Sequence, residues 1–325
     1  IYRNFGILGN AVVSFVGGCD IDQEKMVDLE DVLNDDFIYS KKMLNFFVSA
    51  LLIALFAFFL FTKNALSQVP YDLETPDKTI ELPIELKEIS GLTLTGKDNQ
   101  LAAIGDEKGQ IFFIDAKSGA IERSPVFREK GDFEDLVMLG DSVWCIKSDG
   151  DLYKITEIES DKPESEKFTS GFLEHQRDDV EGLCFDEKNN RLLLACKGVT
   201  DSFKVRRFFA FDLKTKQFQA NPAFTLDPCD VEKAMPGAKK GKPFSPSGIA
   251  INPKTDEFYV LSSVGKMLAV LSPEGILKQA VKLDKSLLPQ PEGICFLPDG
   301  TLYLSSEGKN GQGVILVFKM KKQGG

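Results

Sequence analysis

The chain has 325 residues and a formal net charge of −10, with 39 Lys and Arg against 49 Asp and Glu, and beyond residue 62 the balance is still −6. That sign argues against a phosphate-binding surface and so against nucleic acid as a partner. Six cysteines (Cys19, Cys145, Cys184, Cys196, Cys229, Cys295) show neither C-x-x-C nor C-x-x-H spacing, which leaves zinc and thioredoxin-like chemistry without support.

Residues 1–42 share nothing with the rest and turn acidic from Asp20 to Asp36, which reads as an upstream segment not native to the domain, with a native start at Met43. Val16-Gly-Gly-Cys19 mimics a lipoprotein cleavage box but lacks a strongly apolar run before it. Leu44–Thr62 is uncharged, long enough to cross a bilayer as a helix, and preceded by Lys41 and Lys42, which mark the cytoplasmic side. The expectation is a transmembrane anchor or signal segment over 43–63, with the following domain exported to the periplasmic side. The alternative is secretion after cleavage before Gln68, since Ala65-Leu66-Ser67 offers small residues there. Residues 64–84 read as a tether, polar and with three prolines.

From 85 to 320 one pattern recurs. Glu88-Ile-Ser-Gly-Leu, Asp132-Phe-Glu-Asp-Leu, Asp179-Val-Glu-Gly-Leu, Ser245-Pro-Ser-Gly-Ile and Gln290-Pro-Glu-Gly-Ile align on Gly91, Asp135, Gly182, Gly248 and Gly293, at intervals of 44, 47, 66 and 45 residues. Short apolar runs split by turns such as Pro298-Asp-Gly300 follow each start. A period near 45 in an all-β chain predicts propeller blades, here five of four strands each. Two links preceding a repeat start are long, Thr156–Asp178 and Pro228–Phe244, and the second carries Lys233, Lys239, Lys240 and Lys242. Both are expected on the face where the inner strands begin, and loops of such length tend to be functional or disordered.

Just before the aligned position stand Ser90, Glu134, Glu181, Ser247 and Glu292, and two residues earlier Glu88, Asp132, Asp179, Ser245 and Gln290. Strand side chains repeat every second residue, so both columns share a parity that continues beyond the glycine as apolar residues such as Leu92, Leu183 and Ile294. That switch marks a channel mouth ringed by six acids: Glu88, Asp132, Glu134, Asp179, Glu181 and Glu292. Carboxylates so close must take up protons, be bound by backbone N–H groups and lysines, or share a hard cation. The aligned glycines let inner strands approach near the axis. The single histidine, His175, lies in the long link before the third blade and is a weak candidate for a base or ligand. Buried cysteine behaves as a small hydrophobe, with a Cys184–Cys196 bridge left open. Trp144 and Phe208, Phe209 and Phe211 read as inter-blade packing.

A membrane segment, a short tether and blades opening with E-I-S-G-L, D-V-E-G-L, S-P-S-G-I and P-E-G-I resemble the SdiA-regulated family of exported bacterial proteins, themselves similar to NHL-repeat propellers. The resemblance spans Leu82 to Lys319; the second blade, with Asp135 for Gly, departs from it. It implies a five-bladed propeller and a calcium site in the channel, with the six acids as its ligand set. The family name refers to regulation of expression and supplies no activity. Two functions follow: a calcium-stabilised, membrane-tethered module that binds a small molecule or envelope protein at the mouth, or a calcium-dependent lactonase or phosphoesterase.

Overall fold

The computed structural model describes Ser49 and residues 69–321, apart from 175–176, 199–204, 236–242 and 309–310. The expected anchor apart from Ser49, the segment before it, the cleavage site, His175, Lys239, Lys240 and Lys242 lie outside the described residues. Among the described residues no helix is long and apolar enough to cross a membrane.

Five antiparallel sheets follow one another along the chain, and their first strands line a common axis. These inner strands are Ile89–Leu94, Phe133–Leu139, Val180–Asp186, Gly248–Ile251 and Pro291–Phe296, so all five aligned positions fall on them. The count of five four-stranded blades holds. Blades one and three have an outer strand broken in two, Ile121–Arg123 with Val126–Arg128 and Gln217–Phe218 with Phe224–Leu226.

The tether reading needs correction. Lys78–Glu81 is the outer strand of blade five, paired antiparallel with Val314–Phe318, so the beginning of the domain closes the ring on its end. Upstream of that strand Val69, Tyr71 and Leu73 are buried among residues of blades four and five. The long link Thr156–Asp178 likewise contains a strand, Glu164–Phe168, the outer edge of blade two. Both strands escaped the sequence reading because an outer strand buries almost nothing: four of the five positions in Glu164–Phe168 are exposed, and in Lys78–Glu81 only Ile80 is buried. Among its described residues the 66-residue interval holds no sixth blade; part of it is a short helix, Pro228–Ala234, capped by Asp227 and pinned by buried Val231 against the core of blades three and four.

Aromatic rings fill the gaps between blades as expected. Trp144 stacks on Phe168 at 5.5 Å and meets Phe211 at 5.6 Å, while Phe224 bridges Phe208 (4.4 Å) and Phe258 (5.2 Å). Cys184 pairs in register with Leu193 and Cys196 with Val180, so the two thiols stay apart and free.

Near the axis the glycine column has a steric cause. Gly91, Gly182, Gly248 and Gly293 each back onto the apolar residue of the following blade, Leu136, Ile249, Ile294 and Leu92. Those four and Leu183 are buried and close the channel beneath the acidic columns; on the far side a pocket of about 200 Å³ opens, lined by Leu94, Met138, Phe185, Ile251 and Phe296 among others. The mouth is therefore a cup with an apolar floor. A Cβ on Gly248 would lie 2.2 Å from the carbonyl oxygen of Glu292, backbone that cannot yield, whereas on Gly182 it would meet Ala195 and Ile249 methyls at 3.1 Å. Gly248→Ala is expected to cost about 1–3 kcal/mol and Gly182→Ala clearly less. Equal midpoints in urea unfolding would refute that reading of the column.

Candidate functional site at the channel mouth

The acids reach the mouth through a backbone irregularity. In four blades the register between inner and second strand slips at the inner strand's start, between Ile89 and Gly91, Phe133 and Asp135, Val180 and Gly182, and Pro291 and Ile294. The residues inside those slips include Ser90, Glu134, Glu181 and Glu292, the column just before the aligned position. A β-bulge re-aims a side chain and spares it from the ladder, which turns these groups toward the axis.

The six predicted acids are brought to one end of the axis but in unequal settings. Glu88 and Asp132 are exposed, with Asp132 accepting a hydrogen bond from the Ser148 hydroxyl. Glu134 and Glu292 are half-buried, and Asp179 and Glu181 are buried. Lys197 donates a short hydrogen bond to Glu181 and lies 3.7 Å from Asp179. Ser263 reaches Glu292, and Ser247 Oγ donates to the Pro291 carbonyl at 2.8 Å while accepting from Ser263 N at 3.1 Å.

Burial and crowding act together on these groups. Burial first, then the charges of Glu181, Asp132, Asp179 and Glu292, push Glu134 up to about 10. Burial raises Glu181 to about 7, with Lys197 pulling against it and Asp179 adding to the rise. Glu292 is driven well above the usual carboxylate range by burial, Glu181 and Glu307. Burial pulls the Lys197 ammonium down, but Glu181, Asp179 and Glu292 outweigh it and hold the lysine charged. At neutral pH the cup therefore keeps Lys197 charged and Glu134 protonated, with Glu181 near its midpoint.

Sequence reasoning missed Asp106, Lys197, Ser263 and Glu307. All follow the second strand of a blade, whose end lies beside the inner strand's start; Lys197 N bonds to the Asp179 carbonyl at 2.8 Å and Glu307 N to that of Gln290 at 3.0 Å. The signal was present as a polar residue ahead of the turn glycines Gly109, Gly198, Gly265 and Gly308. Lys233, expected over the mouth, sits on the short helix, which packs against the outer strand of blade four, Leu277–Lys282, and pairs with Asp230 at 2.8 Å.

Asp135, the exception in the glycine column, takes no part in the cup. Its carboxylate is buried and accepts backbone N–H bonds from Leu136 and Leu183, each at 2.8 Å, and from Leu92. One side chain thus ties the inner strands of blades one, two and three.

Carboxylates and serine hydroxyls are hard oxygen donors of the kind calcium takes, and a buried excess of negative charge favours a cation. The donor chemistry fits calcium. The present positions do not yet gather it: among the described residues no group of three or more His, Cys, Asp and Glu side chains stands close enough to hold an ion, and Glu181 is engaged by Lys197.

The sequence matches the family model described as SdiA-regulated over residues 63–310. Residues 1–53 match a model described as a domain of unknown function, DUF366. No curated protein matches the sequence. Among solved structures, glutaminyl cyclase of Myxococcus xanthus shares 12% identity at a TM-score of 0.51, over 75% of this chain and 96% of that one. The PQQ-bound aldose sugar dehydrogenase of Streptomyces coelicolor shares 13% at 0.48, over 75% and 97%. A Bacteroides thetaiotaomicron protein of unknown function shares 13% at 0.45, over 67% of this chain but 52% of its own length. Similarity at this level shows the fold alone.

Proposed function

The chain belongs to the SdiA-regulated family, and we propose that its propeller is a membrane-tethered, extracytoplasmic binding module whose acidic channel mouth holds calcium. The observation that carries this reading is the cup itself: Glu134, Glu181 and Glu292 turned by bulges above an apolar floor, with Lys197 the one cation shown bonded among them in the described residues. Those three glutamates would hold the ion, with Glu181 released from Lys197. A calcium ion there would supply a fixed double positive charge, able to orient an anionic ligand group.

Without calcium, burial and neighbouring acids keep Glu134 protonated up to about pH 10 in the folded state, against the ordinary 4.5. Folding therefore takes up a proton across that window, and stability in chelator falls as pH rises through it. Calcium competes with the same proton, so its affinity rises with pH. At a hundredfold excess over its dissociation constant the ion should stabilise the fold by about 2.7 kcal/mol. Glu134→Gln replaces a protonated acid by a neutral isostere that needs no proton uptake on folding; it should raise stability in chelator at pH 7, flatten the pH dependence, and abolish the response to calcium. Thermal melts of wild type that are indifferent to calcium and chelator would remove the metal. The lactonase or phosphoesterase reading uses the same ion, and ester hydrolysis lost with both chelator and Glu134→Gln would favour it over pure binding.

A further inference from the structure

We infer that Lys197 is the mouth's own stand-in for the metal: its ammonium fills the cation position at Asp179 and Glu181, and calcium binds there only as that side chain swings out. This deepens the proposed function and rests on its calcium site. The residue just past the second strand of each blade is Asp106, Ser148, Lys197, Ser263 and Glu307 in turn, which makes a third ring at the mouth. The amides of Ser148, Lys197 and Glu307 donate to the carbonyls of Asp132, Asp179 and Gln290 at 3.0, 2.8 and 3.0 Å, so the ring stands beside the polar starts of the inner strands. In blades one, two, four and five the side chain at this position carries oxygen, the hard donor that calcium takes. Blade three alone carries an ammonium.

That ammonium is set among the ion's own donors. It bonds to Glu181, lies 3.7 Å from Asp179, and feels the charge of Glu292 from blade five. It therefore takes a carboxylate oxygen the ion would need and adds a positive charge where the ion's charge would fall, so the two cations repel each other strongly at one pair of acids. The exchange is built into the side chain. Its backbone is fixed through the bond to the Asp179 carbonyl, whereas the four-carbon stem rotates, and 34% of the side chain is exposed, which leaves it a way out. Lysine suits that role better than arginine, whose planar fork would clasp carboxylates through several donors at once. In the absence of metal the same contact serves folding, because it gives two buried acids a counter-charge.

The test measures calcium binding by calorimetry on the full chain in an uncharged detergent, with Lys197→Met, which keeps an unbranched stem without the charge, and Lys197→Arg, which keeps the charge. The Met protein should bind calcium about tenfold to a hundredfold more tightly than wild type, the worth of one charge-assisted hydrogen bond, and the Arg protein no more tightly than wild type. In chelator the Met protein should melt below wild type, because Asp179 and Glu181 lose their counter-charge, and saturating calcium should close that gap. If wild type binds calcium and the Met protein binds it no more tightly, the exchange is overturned and the metal site stands. No calcium binding by any of the three folded proteins would overturn both. A readout on wild type needs no variant: amine labelling with acetic anhydride, mapped by mass spectrometry and referred to exposed Lys254, should rise severalfold at Lys197 when calcium is added. Labelling that stays level or falls would overturn the exchange even where the Met protein fails to fold.

Discussion

A protein that begins at Pro83 is expected to be unfolded in water, while one that begins at Gln68 folds as the full chain does. The missing stretch carries Val69, Tyr71, Leu73, Ile80 and Leu82, all buried. At about 1.5–3 kcal/mol for each large buried side chain, their loss is of the order of 10 kcal/mol, which matches the whole stability of a typical domain, about 5–15 kcal/mol. The outer strand of blade five goes with them, as do the bonds from Leu82 N to the Gly313 carbonyl (2.8 Å) and from Asp77 N to that of Val317 (2.8 Å). Each blade buries its faces only against neighbours, so an open fifth blade exposes the flank of the first as well. Circular dichroism and thermal melts would decide it. A cooperative transition in the shortened protein, near that of the Gln68 form, would show that Lys78–Glu81 decorates the ring instead of closing it. A peptide spanning residues 69–82, added in trans, should restore the transition.

The inner strands were legible in the sequence because they carry three demands at once: a polar group at the mouth, a residue small enough for the next blade to lean over, and an apolar side chain for the floor. Gly182 and Gly293 with Leu183 and Ile294 show all three within four residues. Outer strands carry none, so Lys78–Glu81 and Glu164–Phe168 look like polar linkers. The acidic ring was legible as a column of residue types, but its internal counter-charge was not, because Lys197 reaches Glu181 from the adjacent strand, sixteen residues on. The bulges were invisible for a related reason: a register slip belongs to a pair of strands and leaves no mark on either alone.

Asp135 shows the limit from the other direction, since the sequence marks it as a misfit and only the structure gives it work. Asp135→Ala is expected to cost about 3–9 kcal/mol, because it strands the backbone N–H groups of Leu92, Leu136 and Leu183 in the core, at about 1–3 kcal/mol for each unsatisfied buried donor. Burial pushes this carboxyl well above its ordinary range while the three N–H groups pull it back, so the side chain is held for its two acceptor oxygens. Asp135→Asn keeps one acceptor and sets an N–H against an N–H at the other, and should recover only part of the loss. Gly91 is part of the same arrangement: a Cβ there would lie 2.6 Å from Asp135 Oδ1. Because the ties join blades one, two and three below the cup, the destabilisation should be the same in calcium and in chelator, whereas the effect of Glu134→Gln differs between the two. Urea unfolding in both conditions separates the two roles. A cost below about 1 kcal/mol for Asp135→Ala would mean that those N–H groups find other acceptors, and a cost that changes with calcium would move Asp135 from the scaffold into the site.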